Sequence, residues 1–194
     1  MENGAERALS FVIEIDRMKS ILRRSLTFDG SHYENDAEHS WHLAMMAIAF
    51  ERYAARPVDM ARVLKMTLVH DLVEIDAGDT FAYDAAANLD KEERERKAAD
   101  RIFAMIPEGA GLRALWEEFD EAKTADAVFA SALDRLQPLV SNHLNEGHTW
   151  RSGNVDSDAV YRRIAPLKEG IPALWDTACS MIEEGVRKGY IRRS

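Results

Sequence analysis

Apolar residues recur every three or four positions along most of the chain, which is the spacing of amphipathic α-helices. We predict helical segments over residues 5–24, 37–54, 59–76, 91–106, 111–122, 124–144, 156–164 and 171–189. No alternation of polar and apolar residues is long enough to predict a sheet. The pattern therefore predicts an all-α, single-domain helical bundle.

Capping residues and apolar stripes refine this prediction. The side chains expected to be buried are Leu9, Val12, Ile13 and Ile21 in the first helix, and Leu43, Met46, Ala47 and Phe50 in the second. The predicted N-caps are Asp36, Asp59, Asp90 and Thr124 or Asp126. We expect residues 79–89 to form a loop and Pro138 to bend the long helix 124–144.

Composition agrees with a folded helical protein. Of 194 residues, 46% are hydrophobic and 30% charged, with only 10 glycines and 5 prolines. The length suits one domain, which we assign to residues 1–194. A formal net charge of -9 argues against long nucleic acid as a partner, because proteins that bind the phosphate backbone usually carry a basic face.

The chain offers no membrane or disulfide signal. Residues 1–10 contain Glu2 and Glu6 and do not resemble a signal peptide, and no apolar stretch reaches the roughly 18 residues of a membrane span. The single cysteine, Cys179, cannot form an intramolecular disulfide and is expected to be a small buried apolar residue. We predict a cytoplasmic protein.

Three ionisable residues interrupt an otherwise apolar helical stretch. His70, Asp71 and Glu74 lie in the segment Val-Leu-Lys-Met-Thr-Leu-Val-His-Asp-Leu-Val-Glu. Burying a carboxylate beside an imidazole is costly unless a partner compensates it, and a metal ion is one such partner. Spacings of three and four residues can bring all three side chains to one side of the helix end.

Two further polar interruptions could complete a metal site. His39 and His42 lie on the preceding helix, and Asp134 lies on the long later one. Neither histidine belongs to a His-Glu-x-x-His pattern, so the zinc-protease interpretation fails. Spacing alone leaves both histidines open as ordinary helix residues.

His39, His70-Asp71 and Asp134 together resemble the H…HD…D signature of the HD-domain superfamily. The strings Glu-Asn-Asp-Ala-Glu-His-Ser-Trp-His-Leu-Ala and His-Asp-Leu-Val-Glu-Ile-Asp-Ala-Gly-Asp-Thr are similar to the branch that contains 5'-deoxynucleotidases. The similarity covers about residues 15–140, with the helices of residues 156–190 expected to pack on that region. The resemblance implies that the four signature residues bind one divalent ion.

The resemblance also implies roles for neighbouring residues. Glu74 and Asp79 fall on the family's catalytic acidic positions, and Arg23 falls on a phosphate-binding arginine with Arg24 as an adjacent competitor. A tryptophan that follows the arginine in well-known nucleotidases has no counterpart here, and Phe28 is a candidate substitute. Nucleoside monophosphate specificity is therefore less strongly implied than metal binding.

We predict a phosphohydrolase that converts nucleoside 5'-monophosphates, including the 2'-deoxy forms, to nucleoside and phosphate. Two imidazoles and two carboxylates suit Mn²⁺, Co²⁺, Fe²⁺, Ni²⁺, Zn²⁺ or Mg²⁺ without choosing among them. One alternative is another phosphate ester or a nucleotide polyphosphate as substrate, and a second is a non-catalytic protein braced by its metal. A homodimer is expected by analogy, weakly supported by the exposed-looking aromatics Trp116, Phe119, Trp150 and Trp175.

Overall fold

The computed structural model describes residues 3–194. Met1 and Glu2, which belong to the segment considered as a signal peptide, lie outside the described residues. Residues 3–194 are mainly helical, which confirms the all-α class. The α-helices are α1 Gly4–Ile15, α2 Asp36–Phe50, α3 Met60–Val69, α4 Glu74–Ala77, α5 Lys91–Ile102, α6 Gly109–Glu121, α7 Ala125–Leu144, α8 His148–Ser152, α9 Ser157–Ile164, α10 Leu167–Gly170 and α11 Trp175–Arg187. Short 3₁₀ turns cover Asp16–Ser20, Glu51–Tyr53, Phe103–Met105 and Pro172–Leu174.

The N-terminal region departs from the single predicted helix. After the first 3₁₀ turn the chain forms strand β1 (Leu22–Leu26), which pairs antiparallel with β2 (Tyr33–Asn35). Gly30 adopts a φ of 71° in the connecting turn, a conformation that glycine tolerates best. Pairing between strands thus overrides the local helical pattern of residues 16–24.

The predicted buried face of α1 is also wrong. Leu9, Val12 and Ile13 are 61%, 57% and 67% exposed, whereas Phe11 is buried. The helix is held instead through Arg7, whose guanidinium donates hydrogen bonds to the carbonyl oxygens of Met105 and Ala104. Leu9, Val12 and Ile13, on the other face of α1, remain exposed to solvent among residues 3–194.

Capping explains where the site-bearing helices begin. Asn35 rather than Asp36 caps α2, and it forms a capping box with Glu38. Asp59 caps α3 as predicted. Asp90 does not cap α5; its carboxylate instead accepts a hydrogen bond from Arg94.

The predicted helix 59–76 is broken at the residues that carry its chemistry. Helix α3 ends at Val69, residues 70–73 form a turn, and α4 follows. The backbone stays right-handed at His70 and Val73, but the hydrogen bonds from Leu72 to Val69 and from Glu74 to Asp71 span three residues instead of four. This tighter turn departs from the separation of about 100° between successive side chains of an ideal α-helix.

Helix α7 is the centre of the bundle. It packs against α2, α3, α6, α9, α10 and α11 and runs through Pro138 without ending. Gly170 permits the contact with α10, because a Cβ there would lie 2.4 Å from the Cβ of Ala132 and 2.8 Å from the carbonyl oxygen of Val128. A second apolar cluster joins α1, α3, α5 and α6.

The aromatic residues that looked exposed are mostly covered. Trp150 is 2% exposed and lies in the main core, and Trp175 and Phe119 pack against it. The large exposed aromatic is Trp41, which is 65% exposed and shares a face of α2 with Met45 and Ile48. Between residues 3 and 194, no helix has both the length and the apolar character needed to cross a membrane.

Candidate metal centre and active site

Four donor atoms from three parts of the chain meet beside the middle of α7. His39 Nε2 lies 3.0 Å from Asp134 Oδ1, and His70 Nε2 lies 3.0 Å from Asp71 Oδ2. The other two sides of this quadrilateral, His39 to Asp71 and His70 to Asp134, are 3.9 Å. The structure therefore brings together all four residues that the sequence proposed as ligands.

These spacings fit a divalent cation. Two ligands at right angles, each about 2.1 Å from an ion, lie about 3.0 Å apart, and wider ligand angles give larger separations. The four side chains are all buried, so a lone cluster of carboxylates and imidazoles would carry a large desolvation cost. Among residues 3–194, His70 Nε2 has no hydrogen-bond partner, which leaves its lone pair for a ligand.

Neighbouring groups orient both imidazoles. The Nδ1–H of His70 donates to the Thr67 carbonyl oxygen at 2.9 Å, so Nε2 faces the cluster unprotonated when the ring is neutral. Nδ1 of His39 lies 3.5 Å from Glu34 Oε2, and the other oxygen of Glu34 accepts a 2.6 Å hydrogen bond from Gln137. This chain of contacts holds His39 as metal-binding histidines are commonly held.

The cluster favours positive charge at its centre. Burial alone lowers the pKa of His39, but contacts with Asp134 and Glu34 outweigh it and raise that pKa to about 9. Burial opposes ionisation of Asp71, yet His70 and Arg23 hold its pKa below the usual value. The same negative potential that stabilises a proton on His39 would stabilise a divalent cation.

Arg23 lies among carboxylates beside the cluster. Its guanidinium is 2.7 Å from Asp71 Oδ2, 3.3 Å from Asp36 Oδ1 and 3.8 Å from Glu34 Oε2. Arg24 on the same strand also lines the cavity but contacts a different group, with its guanidinium carbon 4.7 Å from the centre of the Phe81 ring. Alternate side chains of a strand face opposite sides, which separates the two arginines.

Glu74 and Asp79 line the cavity above the cluster. Burial, followed by the charges of Asp71 and Asp36, raises the pKa of Glu74, and burial raises the pKa of Asp79. Glu74 is the first residue of α4 and Asp79 follows its C-terminal Gly78, which has φ 74° and ψ 151°. That conformation is open almost only to glycine, and it turns the chain so that Asp79 reaches the cavity.

Aromatic rings line the walls of the cavity. They belong to Phe81, Tyr83, Trp116, Phe119 and Trp150, whereas Phe28 packs edge-on against His42, with ring centres 4.6 Å apart, and does not line the cavity. Phe28 therefore does not substitute for the missing tryptophan. The apolar walls instead come from the loop 79–89, from α6 and from α8.

Comparison with protein families identifies the arrangement. A family model described as the HD domain matches residues 15–175. The chain belongs to the HD-domain family. This extent includes all four donor residues and exceeds the region of about residues 15–140 inferred from the motifs.

Solved structures and curated relatives resemble this HD domain over most of its length. A "predicted metal-dependent phosphohydrolase" from Magnetospirillum magnetotacticum has a TM-score of 0.92 and 48% identity, covering 97% of this chain and 95% of its own. The 5'-deoxynucleotidase HDDC2 of Xenopus laevis is 28% identical over 95% of this chain and 94% of its own length. The human 5'-deoxynucleotidase HDDC2 is 26% identical over 71% and 68% of the two chains.

Several residues around the HD site were missed by sequence reasoning. Asp36 was predicted only as an N-cap and Glu34 was given no role, although both stand in the string that carries the resemblance and could have drawn attention as acidic residues close to His39. Arg135 directly follows Asp134 and pairs with its second carboxylate oxygen. Arg163 also lines the cavity, but nothing in the pattern of α9 distinguishes it from Arg162.

Proposed function

We propose that this HD domain is a metal-dependent phosphohydrolase that cleaves the 5'-phosphate of nucleoside monophosphates, including deoxynucleotides. The observation that carries the proposal is the cluster of His39, His70, Asp71 and Asp134 beneath a cavity that also contains a buried acidic side chain, Glu74. The names of the curated relatives support a 5'-deoxynucleotide as the substrate class.

The proposed metal ligands are the four donors of the cluster. When bound, a divalent ion there polarises a phosphoryl oxygen and lowers the pKa of water. Oxygen and nitrogen donors without sulfur suit Mn²⁺, Co²⁺, Fe²⁺, Ni²⁺, Zn²⁺ or Mg²⁺, and we propose one such ion per chain.

Glu74 is proposed as the proton acceptor for the attacking water. Its Oε2 is buried and has no hydrogen-bond partner in the described part of the chain, and burial raises its pKa, which favours uptake of a proton. Asp79 faces the same cavity and, with its pKa also raised, is proposed to return a proton to the leaving oxygen.

Arg23 is proposed to fix the position of Asp71 and to contact the phosphoryl group from the side. Its contacts with Asp71 and Asp36 already use one of its nitrogen atoms. The remaining N–H groups of its planar guanidinium can donate hydrogen bonds to a phosphate oxygen.

The domain assignment and assembly also belong to this proposal. We propose that residues 1–194 form one HD domain and that two chains associate as a homodimer in the cytoplasm. The exposed apolar side chains of Trp41, Met45 and Ile48 on α2 support association. Light scattering coupled to size-exclusion chromatography tests the dimer.

The activity test is phosphate release from a panel of nucleoside 5'-mono-, di- and triphosphates. Metal-stripped protein is reconstituted in turn with Mn²⁺, Co²⁺, Zn²⁺ and Mg²⁺. We expect metal-dependent release from monophosphates that disappears in the Asp71→Ala variant. If no nucleotide releases phosphate although the protein binds stoichiometric metal, the proposal is contradicted. That result would favour a different phosphate ester as the substrate or a non-catalytic role for the protein.

A further inference from the structure

The cavity above the metal cluster continues into an outer cavity that opens toward solvent. Both cavities are lined by Tyr83, Arg135 and Arg163, so these side chains form the boundary between them. Arg135 lies on α7 directly after Asp134, and Arg163 lies on α9. A substrate that extends from the metal cluster toward the outer cavity would therefore lie beside these two arginine side chains.

Arg163 differs from the other buried arginine of the cavity in its partners. Arg23 is compensated by Asp71 and Asp36, whereas Arg163 has no carboxylate within ion-pair distance among residues 3–194. Burial and the neighbouring charge of Arg135 lower the pKa of Arg163 to about 10. The fold therefore holds two positive groups close together in the cavity wall, and one of them, Arg163, has no ion-pair partner among residues 3–194.

Such an arrangement disfavours the protein without a ligand. Placing a partly buried guanidinium beside a like charge costs free energy, which the charge of Asp134 offsets only in part. A bound anion would offset it, because a phosphate accepts paired hydrogen bonds from the planar forks of both arginines. The metal cluster cannot fill this role, since its own negative side chains are already occupied by Arg23 and by the proposed ion.

We propose that Arg135 and Arg163 form a second anion subsite, which binds a phosphate group of the substrate other than the one that is hydrolysed. This inference rests on the proposed function, and it extends the proposed substrate class from nucleoside monophosphates to nucleotides that carry a second phosphate group. The second phosphate belongs either to a nucleoside 5'-diphosphate or to a 3',5'-bisphosphate. Both share the chemistry that the subsite recognises.

The division of roles follows from the positions of the side chains. Arg135 contacts Asp134 with one nitrogen, so it neutralises part of a proposed metal ligand and presents its remaining donors to the cavity. Arg163 uses none of its donors within the described residues and supplies most of the subsite. Arg163→Gln is therefore a more specific test than a substitution of Arg135, because it removes one positive charge of the subsite and leaves the ion pair of Arg135 with Asp134 intact.

The test measures ligand binding by calorimetry on the full-length, metal-loaded Glu74→Gln protein, in which turnover is blocked. The ligands are adenosine 5'-monophosphate, 5'-diphosphate and 3',5'-bisphosphate, each recovered afterwards to verify that it is intact. We expect at least one doubly phosphorylated ligand to bind about tenfold more tightly than the monophosphate, because a hydrogen bond to a charged group contributes roughly that factor. The tighter ligand identifies which of the two sources is used.

Adding Arg163→Gln should remove this preference, and Arg163→Lys should restore part of it. Arg187→Gln is the matched control, since Arg187 is an exposed arginine of α11 outside both cavities. Equal affinity for all three ligands, or a loss in Arg163→Gln that is the same for the monophosphate, overturns the subsite. If the substrate panel shows no turnover while this binding preference holds, the proposed function fails and the subsite stands.

Discussion

Asp134 Oδ1 and His39 Nε2 are hydrogen-bonded at 3.0 Å although 95 positions separate the two residues in the chain. The contact joins α2 to the centre of α7 and closes the ligand cluster from the side opposite His70 and Asp71. It exists because α2 and α7 pack against each other around Leu43, Ala47 and Leu133, which are completely buried. The proposed metal centre is therefore part of the core of the bundle.

Replacing Asp134 by alanine should empty the proposed metal site. The change removes one ligand and leaves His39 Nε2 without its partner, so we expect less than stoichiometric metal by elemental analysis and phosphate release reduced by at least about 100-fold. Asp158→Asn, at an exposed position on α9, is the control and should keep both properties. Full metal content in Asp134→Ala would remove Asp134 from the ligand set.

Glu74→Gln should separate catalysis from metal binding. The amide keeps the shape of the side chain but cannot accept the proton of water, so we expect turnover to fall by roughly 10²–10⁴-fold. Metal content and thermal stability should remain close to those of the unchanged protein. If the variant retained activity, Glu74 would be excluded as the proton acceptor, and Asp79 would be the next candidate for that role.

The two neighbouring arginines of β1 should respond differently to substitution. Arg23→Met leaves Asp36 and Asp71 buried without their cation, and breaking such a buried pair costs about 3–5 kcal/mol of the free energy of unfolding. Arg24→Met removes an exposed side chain that lies over Phe81, and we expect a loss below about 1 kcal/mol. Urea denaturation of both variants measures the difference, and equal losses would contradict the assigned contacts.

Metal should stabilise the fold as well as support turnover. An ion that binds only the folded chain adds about 2.7 kcal/mol at a concentration 100 times its dissociation constant. For a chain of this length that amounts to an increase in Tm of roughly 5–10 °C. Calorimetric scans of chelator-treated protein with and without Mn²⁺ check this, and an unchanged Tm at saturating metal would show that the cluster does not bind it.

Local patterns predicted several elements because the physics that shapes them is local. The stripe of Leu43, Met46 and Ala47 is buried as expected, and Asp59 and Thr124 cap the helices that follow them. Side-chain spacing and capping depend on a few neighbouring residues, which the sequence displays directly.

Elements that depend on distant partners were not predicted correctly. The strand Leu22–Leu26 exists because it pairs with Tyr33–Asn35, and the apolar side of α1 points outward because Phe11 and Arg7 take the contacts with the bundle. The break after Val69 likewise has no breaker residue in the sequence. In each case, packing against other elements decided between local conformations of similar free energy.

For the candidate site, the sequence and the family resemblance of its motifs proposed which residues carry the chemistry: two histidines and two aspartates set in largely apolar helical segments, with Glu74 and Asp79 nearby. Buried charge is rare enough that such residues stand out in an apolar pattern. Only the tertiary structure decided that the four donor atoms meet, that Arg23 is enclosed by carboxylates while Arg24 is not, and that Arg163 reaches the cavity from α9. Distances between elements follow from helix packing, which one-dimensional spacing does not contain.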